Sequence, residues 1–351
     1  MADSSDRAAA SVVALPAPPA AAGEAFALGD QWVWDNAVIR NDDGRYHLFT
    51  TRWPKTTPYS PYWLYRTEII RAVADRPEGP YHLAQACFPE RVRDKWDGMA
   101  CHNPAIVRWR GTYYLFYRGQ TFDGPVPGPD HPEPDLSQRF WDDWSRKSIG
   151  VATSDSIDGP WTRTPAPVLA PRPGQWDAHC CSNPAPVILP DGTTYLLYKT
   201  RTRQTEGPML LGVARAPHPL GPYERLGDGP IISGTSDDRS FEDPFLWHDG
   251  QRFHLLCKDM NGHTCGESHG GVHATSDDAV RWETAEPKLA YSRRVRQADG
   301  TEVMLGSFER PWLLIDDAGR PTHLFASAAD GPGGFWNASR TWIAVVPLVN
   351  A

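Results

Sequence analysis

One phrase of 18 or 19 residues recurs five times along the 351-residue chain. Each copy ends in a strand-length run of aromatic and aliphatic residues bounded by turn residues, such as YYLFYRG and TYLLYKT. Equivalent positions lie 60 to 80 residues apart and are occupied by Asp35, Asn103, Asn183, Asp243 and Arg310. Repeats of this length, with about four short strands each, are typical of β-propeller blades. The sequence therefore predicts an all-β, five-bladed β-propeller.

The composition favours the same class. The chain contains 34 Pro and 30 Gly, and no segment keeps a long apolar face with helical period. A β-sandwich is the alternative, but a sandwich has no reason to repeat several phrases in a fixed order. We expect a flexible Ala/Pro-rich leader over residues 1–28 and a single propeller domain over residues 29–351. The last apolar run, RTWIAVVPL, is expected to form either a third strand or the strand that closes the ring.

Charge and cysteine content exclude several classes of protein. The 35 basic and 43 acidic residues give a net charge of −8 without a long basic run, so binding to nucleic acid is not expected. No apolar run approaches the roughly 18 residues that cross a bilayer, so no membrane partner is expected. The N-terminus lacks a basic region before an apolar block, which predicts a cytoplasmic protein with reduced thiols. The six Cys follow no metal-binding spacing, and no metal ligands are predicted.

The repeated phrase also predicts where polar side chains meet. In a propeller the innermost strand of every blade lines a central channel, and the phrase opens that strand. The five equivalent residues should therefore converge at one end of the channel. The residues one position earlier are Trp34, His102, Ser182, Glu242 and Glu309. Such a dense polar cluster is costly to bury unless its charges are paired or used.

Carboxylates that face each other across a channel are the machinery of glycoside hydrolysis. One ionised carboxylate activates water or attacks the sugar, and a protonated one donates to the leaving oxygen. Trp34 and Trp53 are candidates to stack on a sugar ring, and Asn103 and Asn183 are candidates to bond its hydroxyls. His102 would contact a hydroxyl or hold a channel ion. The alternative is that the acidic residues bind only water or an ion.

The order of the acidic motifs resembles that of known enzymes. An Asp in the first blade, a later Asp-Pro and a Glu-x-Pro about 60 residues further on resemble the five-bladed propeller glycoside hydrolases of families 43 and 117, from about residue 32 to 348. The resemblance implies that Asp35 is the general base, that Asp243 orients the acid and raises its pKa, and that Glu309 is the general acid of an inverting reaction. The long gap between Asp35 and Asp243 departs from family 43, as does the Asn-Ala that follows Asp35.

The identity of the acid stays open between two residues. Successive strand residues point to opposite faces, so Asp243 and its neighbour Glu242 should not both face the substrate. Glu309 holds the position of Glu242 in its own blade, and the same argument applies to it unless a bulge re-aims the strand. Arg310 is expected to pair with Asp243 or to hold an acidic sugar group, and His269 is expected at the rim of the site.

The leading function predicted is an exo-acting, inverting glycosidase. It would release one arabinofuranosyl, xylosyl or galactosyl-type sugar from an oligosaccharide without a cofactor, and a divalent ion in the channel is left open. A non-catalytic sugar-binding propeller is one alternative. A glycoside phosphorylase is another, and Arg310 is the only channel cation evident for its phosphate. The segment 119–147 is expected to be a lid or a packed surface excursion, and the oligomeric state is left open.

Overall fold

The computed structural model describes residues 20–90, 92–134, 137–232, 240–297 and 299–348. Five four-stranded antiparallel sheets are arranged as the blades of a propeller. The described residues include one short α-helix, which lies in a connection between two strands. The prediction of an all-β, five-bladed propeller is confirmed. In each blade the strand that carries the repeated phrase lies at one edge of its sheet, as the innermost strand of the blade.

The ring is closed by a strand from the beginning of the chain. The first strands are β1 (Ala20–Ala21) and β2 (Gly23–Phe26). The last blade has three strands of its own, and β2 pairs antiparallel with the third of them, Gly23 opposite Val345. This pairing covers an edge that would otherwise expose unpaired backbone groups. Residues 20–28 of the leader expected over residues 1–28 are therefore part of the described fold, and residues 1–19 lie outside the described residues.

The first two blades follow directly along the chain. Blade 1 comprises β3 (Gln31–Arg40), β4 (Tyr46–Pro54), β5 (Glu68–Ala74) and β6 (His82–Ala86), with a 3-10 helix at Tyr62–Leu64. Blade 2 comprises β7 (Ala100–Trp109), β8 (Thr112–Gln120), β9 (Ser148–Ser154) and β10 (Thr162–Arg163). Helix α1 (Gln138–Ser145) lies in the long excursion between β8 and β9. The Ser137 side chain caps this helix by accepting a hydrogen bond from the Phe140 N–H.

The remaining blades repeat the pattern. Blade 3 comprises β11 (His179–Ile188), β12 (Thr194–Arg201), β13 (Leu210–Ala216) and β14 (Glu224–Arg225). Blade 4 comprises β15 (Phe241–His248), β16 (Phe253–Asp259), β17 (Gly270–Ser276) and β18 (Glu283–Thr284). Two short strands, β19 (Arg294–Arg296) and β20 (Glu302–Met304), form a small sheet with β1. Blade 5 comprises β21 (Ser307–Ile315), β22 (Pro321–Ala329) and β23 (Thr341–Pro347), with a 3-10 helix at Gly334–Asn337. The run RTWIAVVPL is thus the third strand of its blade.

The core lies between neighbouring blades. Apolar residues from the faces of adjacent sheets interdigitate there, as Phe245 and Leu256 of blade 4 do with Phe308, Leu313 and Leu324 of blade 5. Burial of these side chains holds each blade to the next and fixes the direction in which the innermost strands face the axis.

Candidate active site

A bulge opens the innermost strand of every blade at the repeated position. Asp35, Asn103, Asn183, Asp243 and Arg310 all have a positive φ, between 52° and 63°. The pairing of the first two strands of each blade shifts register at the same five places. A bulge breaks the alternation of side chains along a strand and re-aims them. The conflict between adjacent residues is thereby resolved, because Glu242 and Glu309 line a cavity, Asp243 lines the channel beneath it, and Arg310 lines both.

The five repeated residues surround the narrow part of the channel, where the free volume is only about 30 Å³. Asp35 is buried there among donors. Its Oδ1 accepts a hydrogen bond from the Asn103 amide at 2.8 Å, and its Oδ2 accepts one from the Thr51 hydroxyl at 2.8 Å and one from the Asn103 N–H at 2.9 Å. His102 Nε2 lies 3.1 Å from Oδ2. Asp35 is therefore held in one orientation from several sides.

Arg310 joins the two aspartates of the ring. Its Nε lies 3.2 Å from Asp35 Oδ1, and its Nη1 lies 2.5 Å from Asp243 Oδ1. Asn183 donates from Nδ2 to the same Asp243 oxygen at 2.5 Å. The predicted pairing of Arg310 with Asp243 is present. Both asparagines are engaged by carboxylates in the ring, so they lie below the cavity in which we expected them to meet sugar hydroxyls.

A lysine that the sequence reasoning missed organises the carboxylates of blades 4 and 5. Lys258 Nζ lies 2.6 Å from Glu309 Oε2, 3.0 Å from Glu242 Oε2 and 3.1 Å from Asp243 Oδ2. Lys199 forms a second ion pair with Glu242. Together with Arg310, Lys258 links Asp35, Asp243 and Glu309 into one network, so the three predicted catalytic carboxyl groups do meet.

The cations that the sequence analysis missed occupy a repeated position that is visible in the aligned sequences. The second strand of each blade carries one side chain directly opposite the residue that precedes the bulge. These partners are Thr51, Arg118, Lys199, Lys258 and Ser327. They stand at the ends of the aligned runs YHLFTT, YYLFYRG, TYLLYKT, RFHLLCKD and THLFAS. The expectation that Arg310 is the only channel cation is therefore wrong.

A cavity of about 200 Å³ lies above the ring. Its polar wall contains Glu242, Glu309, Lys199, Lys258 and Arg310. Its apolar wall is formed by Trp34, Tyr59 and Trp63 of blade 1, by Phe140, Trp141 and Trp144 of α1, and by Phe335 and Trp336. The segment 119–147 thus contributes three aromatic side chains of α1 to the wall of this cavity.

Of the other residues predicted to contact a sugar, some line the cavity and one packs behind its wall. Trp34, His102 and His269 line the cavity, and His269 Nδ1 lies 3.4 Å from Glu309 Oε1. Trp53 does not line it. Its ring packs against Tyr59 at a centroid distance of 4.7 Å and is 1% exposed. The predicted stacking of Trp53 on a sugar is therefore corrected to a supporting role, because Tyr59 occupies the position between it and the cavity.

The protonation states follow from burial and from the cations. Burial alone would raise the pKa of Asp35, but the Arg310 guanidinium and the hydrogen bonds from Thr51 and the Asn103 N–H outweigh it, and this pKa lies below its usual value. Burial lowers the pKa of His102 well below its usual value, so this imidazole is neutral at pH 7 and Arg310 is the permanent charge beside Asp35. Asp35 is thus ionised at neutral pH, as a base must be.

The pKa values of the carboxyl groups around Lys258 are shifted in opposite directions. Burial would raise the pKa of Glu309, but Lys258 and then His269 bring it down to about 2. Burial raises the pKa of Asp243, and the charges of Arg310 and Lys258 offset this only in part. These carboxyl groups titrate together, so a proton taken up by the cluster belongs to the coupled group as a whole. Glu309 is a carboxylate in the unliganded site.

Two kinds of feature are absent from the residues that the structure describes. No group of three or more His, Cys, Asp or Glu side chains in that part of the chain is arranged to hold a metal ion. Over the same residues, no helix has the length and apolar character required to cross a membrane.

No protein-family model matches the chain. No curated protein matches it either. Solved structures with the same fold do exist. Zg3597, a family 117 glycoside hydrolase from the marine bacterium Zobellia galactanivorans, superposes with a TM-score of 0.66 at 18% identity, over 93% of this chain and 90% of that one.

Two further structures are similar. A thermostable family-43 glycoside hydrolase gives a TM-score of 0.62 at 14% identity, over 94% of this chain and 93% of that one. The catalytic domain of a GH62 α-L-arabinofuranosidase from Coprinopsis cinerea gives 0.61 at 13% identity, over 95% and 97%. This chain has the fold of the five-bladed propeller glycoside hydrolases. At these identities the likeness establishes the fold, and the chemistry of this propeller has to be argued from its own residues.

Proposed function

We propose that this propeller is a glycoside hydrolase that removes one terminal sugar from an oligosaccharide. The observation that carries the proposal is the cavity in which carboxylates from two blades face an aromatic wall, with Asp35 of a third blade in the ring directly beneath. Sugar rings bind to aromatic faces through their apolar C–H surfaces, and paired carboxylates are the groups that cleave glycosidic bonds. The shared fold with families 117, 43 and 62 supports the same activity.

The size of the cavity favours exo action. At about 200 Å³ it is smaller than the pockets of roughly 300–1,000 Å³ that hold drug-sized ligands. The narrow ring of the channel adjoins it, since Arg310 lines both, and side chains of α1 and residues 333–336 form part of its wall. A chain end fits this shape, whereas the middle of a polysaccharide needs a groove open at both ends.

Within this site we assign the base to Asp35 and the acid to Glu309, with Asp243 positioning both. Asp35 is ionised, and Glu309 lines the cavity. Asp243 contacts the guanidinium that binds Asp35 and the ammonium that binds Glu309. The reaction expected is inversion, in which water attacks the anomeric carbon from the side opposite the leaving group.

If Glu309 is the general acid, its carboxyl group has to be protonated in the substrate complex. Glu309 has a pKa of about 2 while Lys258 contacts it, so the carboxyl group must take up a proton when the substrate binds. A sugar hydroxyl that displaces Lys258 from Glu309 would raise this pKa, because a buried carboxylate without a cation is disfavoured. His269 is another group at the cavity wall that can carry a proton, and it contacts Glu309 directly.

A screen of nitrophenyl glycosides, including arabinofuranosides, xylosides, galactosides and galactofuranosides, tests the function. NMR of the first product anomer then reports inversion or retention. Asp35→Asn should lower kcat/KM by about 10²- to 10⁴-fold, whereas Asp42→Asn at the exposed surface should not change it. Glu309→Gln should harm substrates with poor leaving groups more than nitrophenyl glycosides. Sugar binding without any turnover in the wild type would instead make this a sugar-binding propeller.

The pH profile decides between the two proton donors. If Glu309→Gln keeps full activity on poor leaving groups while His269→Gln loses both this activity and the basic limb of kcat/KM, the acid is His269. If Glu309→Gln loses activity and His269→Gln shifts the limb only slightly, Glu309 is the acid. Glu242→Gln serves as the third arm, because Glu242 also lines the cavity.

A further inference from the structure

The aromatic wall of the cavity continues from its buried part to the surface of the protein. Four rings form a series in which each contacts the next, at centroid distances of 4.7, 4.8 and 5.2 Å: Trp53, Tyr59, Phe335 and Trp336. Exposure rises along this series. Trp53 and Tyr59 are 1% and 5% exposed, Phe335 is half-buried, and Trp336 is 53% exposed. The last three of these residues line the cavity, so its wall reaches solvent at Trp336.

Trp336 differs from other exposed apolar side chains in its position. In the part of the chain that the structure describes, the other large apolar side chains that are similarly exposed do not line the cavity; they are Leu83, Val92, Leu220 and Met304. Single exposed apolar residues are common on protein surfaces. An indole at the opening of a polar cavity, however, offers a flat apolar face to whatever extends out of that cavity.

The turn that carries Trp336 is fixed by hydrogen bonds on both sides of the indole. The Asn337 side chain accepts a hydrogen bond from the Gly333 N–H at 3.1 Å. The Asp330 carboxylate accepts one from the Arg340 N–H at 2.9 Å. A segment that is already held in one conformation loses little entropy when it binds a ligand. The indole is therefore presented before any ligand arrives.

This turn lies directly against the strand that carries the proposed acid. Gly334 has a φ of 75°, and a Cβ on it would lie 3.1 Å from the Ser307 hydroxyl oxygen. Ser307 is the first residue of β21, which also contains Glu309, and both side chains line the cavity. The acid of a glycosidase protonates the oxygen of the leaving group, so the leaving group departs on the side of the acid. The part of the substrate beyond the scissile bond is therefore expected beside this turn.

We propose that Trp336 binds the second sugar unit of the substrate, on the leaving-group side of the scissile bond, by stacking against the apolar face of its ring. The inference rests on the proposed function, because it extends the substrate of the same cavity by one unit. The terminal sugar occupies the buried part of the cavity, and the leaving sugar covers the indole at its opening. A leaving group without a ring gains nothing from Trp336.

Hydrolysis of disaccharides and of the corresponding glycosyl fluorides by the full-length protein tests the proposal. Xylobiose is compared with xylosyl fluoride, galactobiose with galactosyl fluoride, and arabinobiose with arabinofuranosyl fluoride, because fluoride is a leaving group without a ring. Trp336→Ala should lower kcat/KM for the disaccharide about tenfold more than for the fluoride, which corresponds to about 1.4 kcal/mol. Trp336→Phe keeps a flat ring and should restore most of this difference. Met304→Ala is the matched control, because Met304 is similarly exposed but does not line the cavity.

The outcomes separate this inference from the function on which it rests. Equal losses on disaccharide and fluoride would overturn the inference and assign Trp336 a role in the shape of the cavity. Unchanged hydrolysis of both would overturn it too. A larger loss on nitrophenyl glycosides than on disaccharides would overturn it in favour of an aromatic leaving group. Each of these results keeps the glycosidase.

Calorimetric titration decides the case in which the wild type hydrolyses none of these substrates. Xylobiose and galactobiose should then bind about tenfold more tightly than xylose and galactose, and Trp336→Ala should abolish this gain. Such a result would refute the glycosidase and keep the binding site for the second sugar. The absence of any gain from the second sugar, or a gain that survives in Trp336→Ala, would overturn both proposals.

Discussion

Replacing Lys258 with methionine should destabilise the protein strongly at neutral pH and much less in acid. Lys258 Nζ contacts three carboxylates, and its side chain is 2% exposed. Methionine keeps most of the packing of the lysine stem and removes only the charge. Three neighbouring carboxylates would then share a buried site with too few cations.

The magnitude follows from the shift at one of these carboxylates. The pKa of Glu309 falls from 4.5 to about 2 in the folded protein, and each unit corresponds to about 1.4 kcal/mol. This amounts to about 3 kcal/mol, within the roughly 3–5 kcal/mol seen when one partner of a buried ion pair is removed. Because the folded pKa lies below the unfolded one, the stabilisation is complete above pH 4.5 and is lost as the pH falls toward 2.

Urea unfolding, followed by tryptophan fluorescence at several pH values, measures the effect. Lys258→Met should lower the free energy of unfolding by about 3–5 kcal/mol at pH 7, and the difference should shrink below pH 4.5 as the carboxyl groups become protonated. Lys288→Met is the control, since Lys288 is exposed. A variant as stable as the wild type at pH 7, or a loss that does not change with pH, would refute the reasoning.

Two further predictions concern the fold. Phe26→Ala should lower the free energy of unfolding by about 3–5 kcal/mol, because Phe26 is buried in the strand that closes the ring; an unchanged midpoint in urea would show that the ring does not need this strand. Gly150→Ala should cost about 1–3 kcal/mol, because a Cβ there would come within 2.3 Å of the Trp96 ring. Gly29→Ala, where a Cβ meets nothing within 4 Å, should leave the thermal midpoint unchanged, and equal shifts in both glycine variants would contradict the packing argument.

The repeats were sufficient to predict the blades and the ring. A strand-length apolar run followed by turn residues sets local structure, and its fivefold recurrence leaves a propeller as the simple way to bury every run. The residues at the repeated position could therefore be placed on the axis, and Asp35, Asp243 and Glu309 do meet in one network. Their chemical roles stay a proposal.

Other features of the site depended on long-range contacts that no local pattern encodes. The bulge that turns both Glu242 and Asp243 toward the axis is a property of strand pairing, and simple alternation gave the opposite expectation. Lys258 stands at the end of an ordinary strand run, and its role becomes visible only where two blades bring three carboxylates to it. Trp53 and Tyr59 are both aromatic, and only packing decides which of them faces the cavity.

The sequence by itself determined the number of blades and the strand that faces the axis, because both follow from periodicity within each repeat. The tertiary structure decided three other features: the pairing of β2 that closes the ring, the position of α1 at the cavity, and the balance of buried charge. These features join residues that are far apart in the sequence, such as Gly23 and Val345. The energies of such long-range contacts depend on the distances between the residues and on their burial in the folded chain.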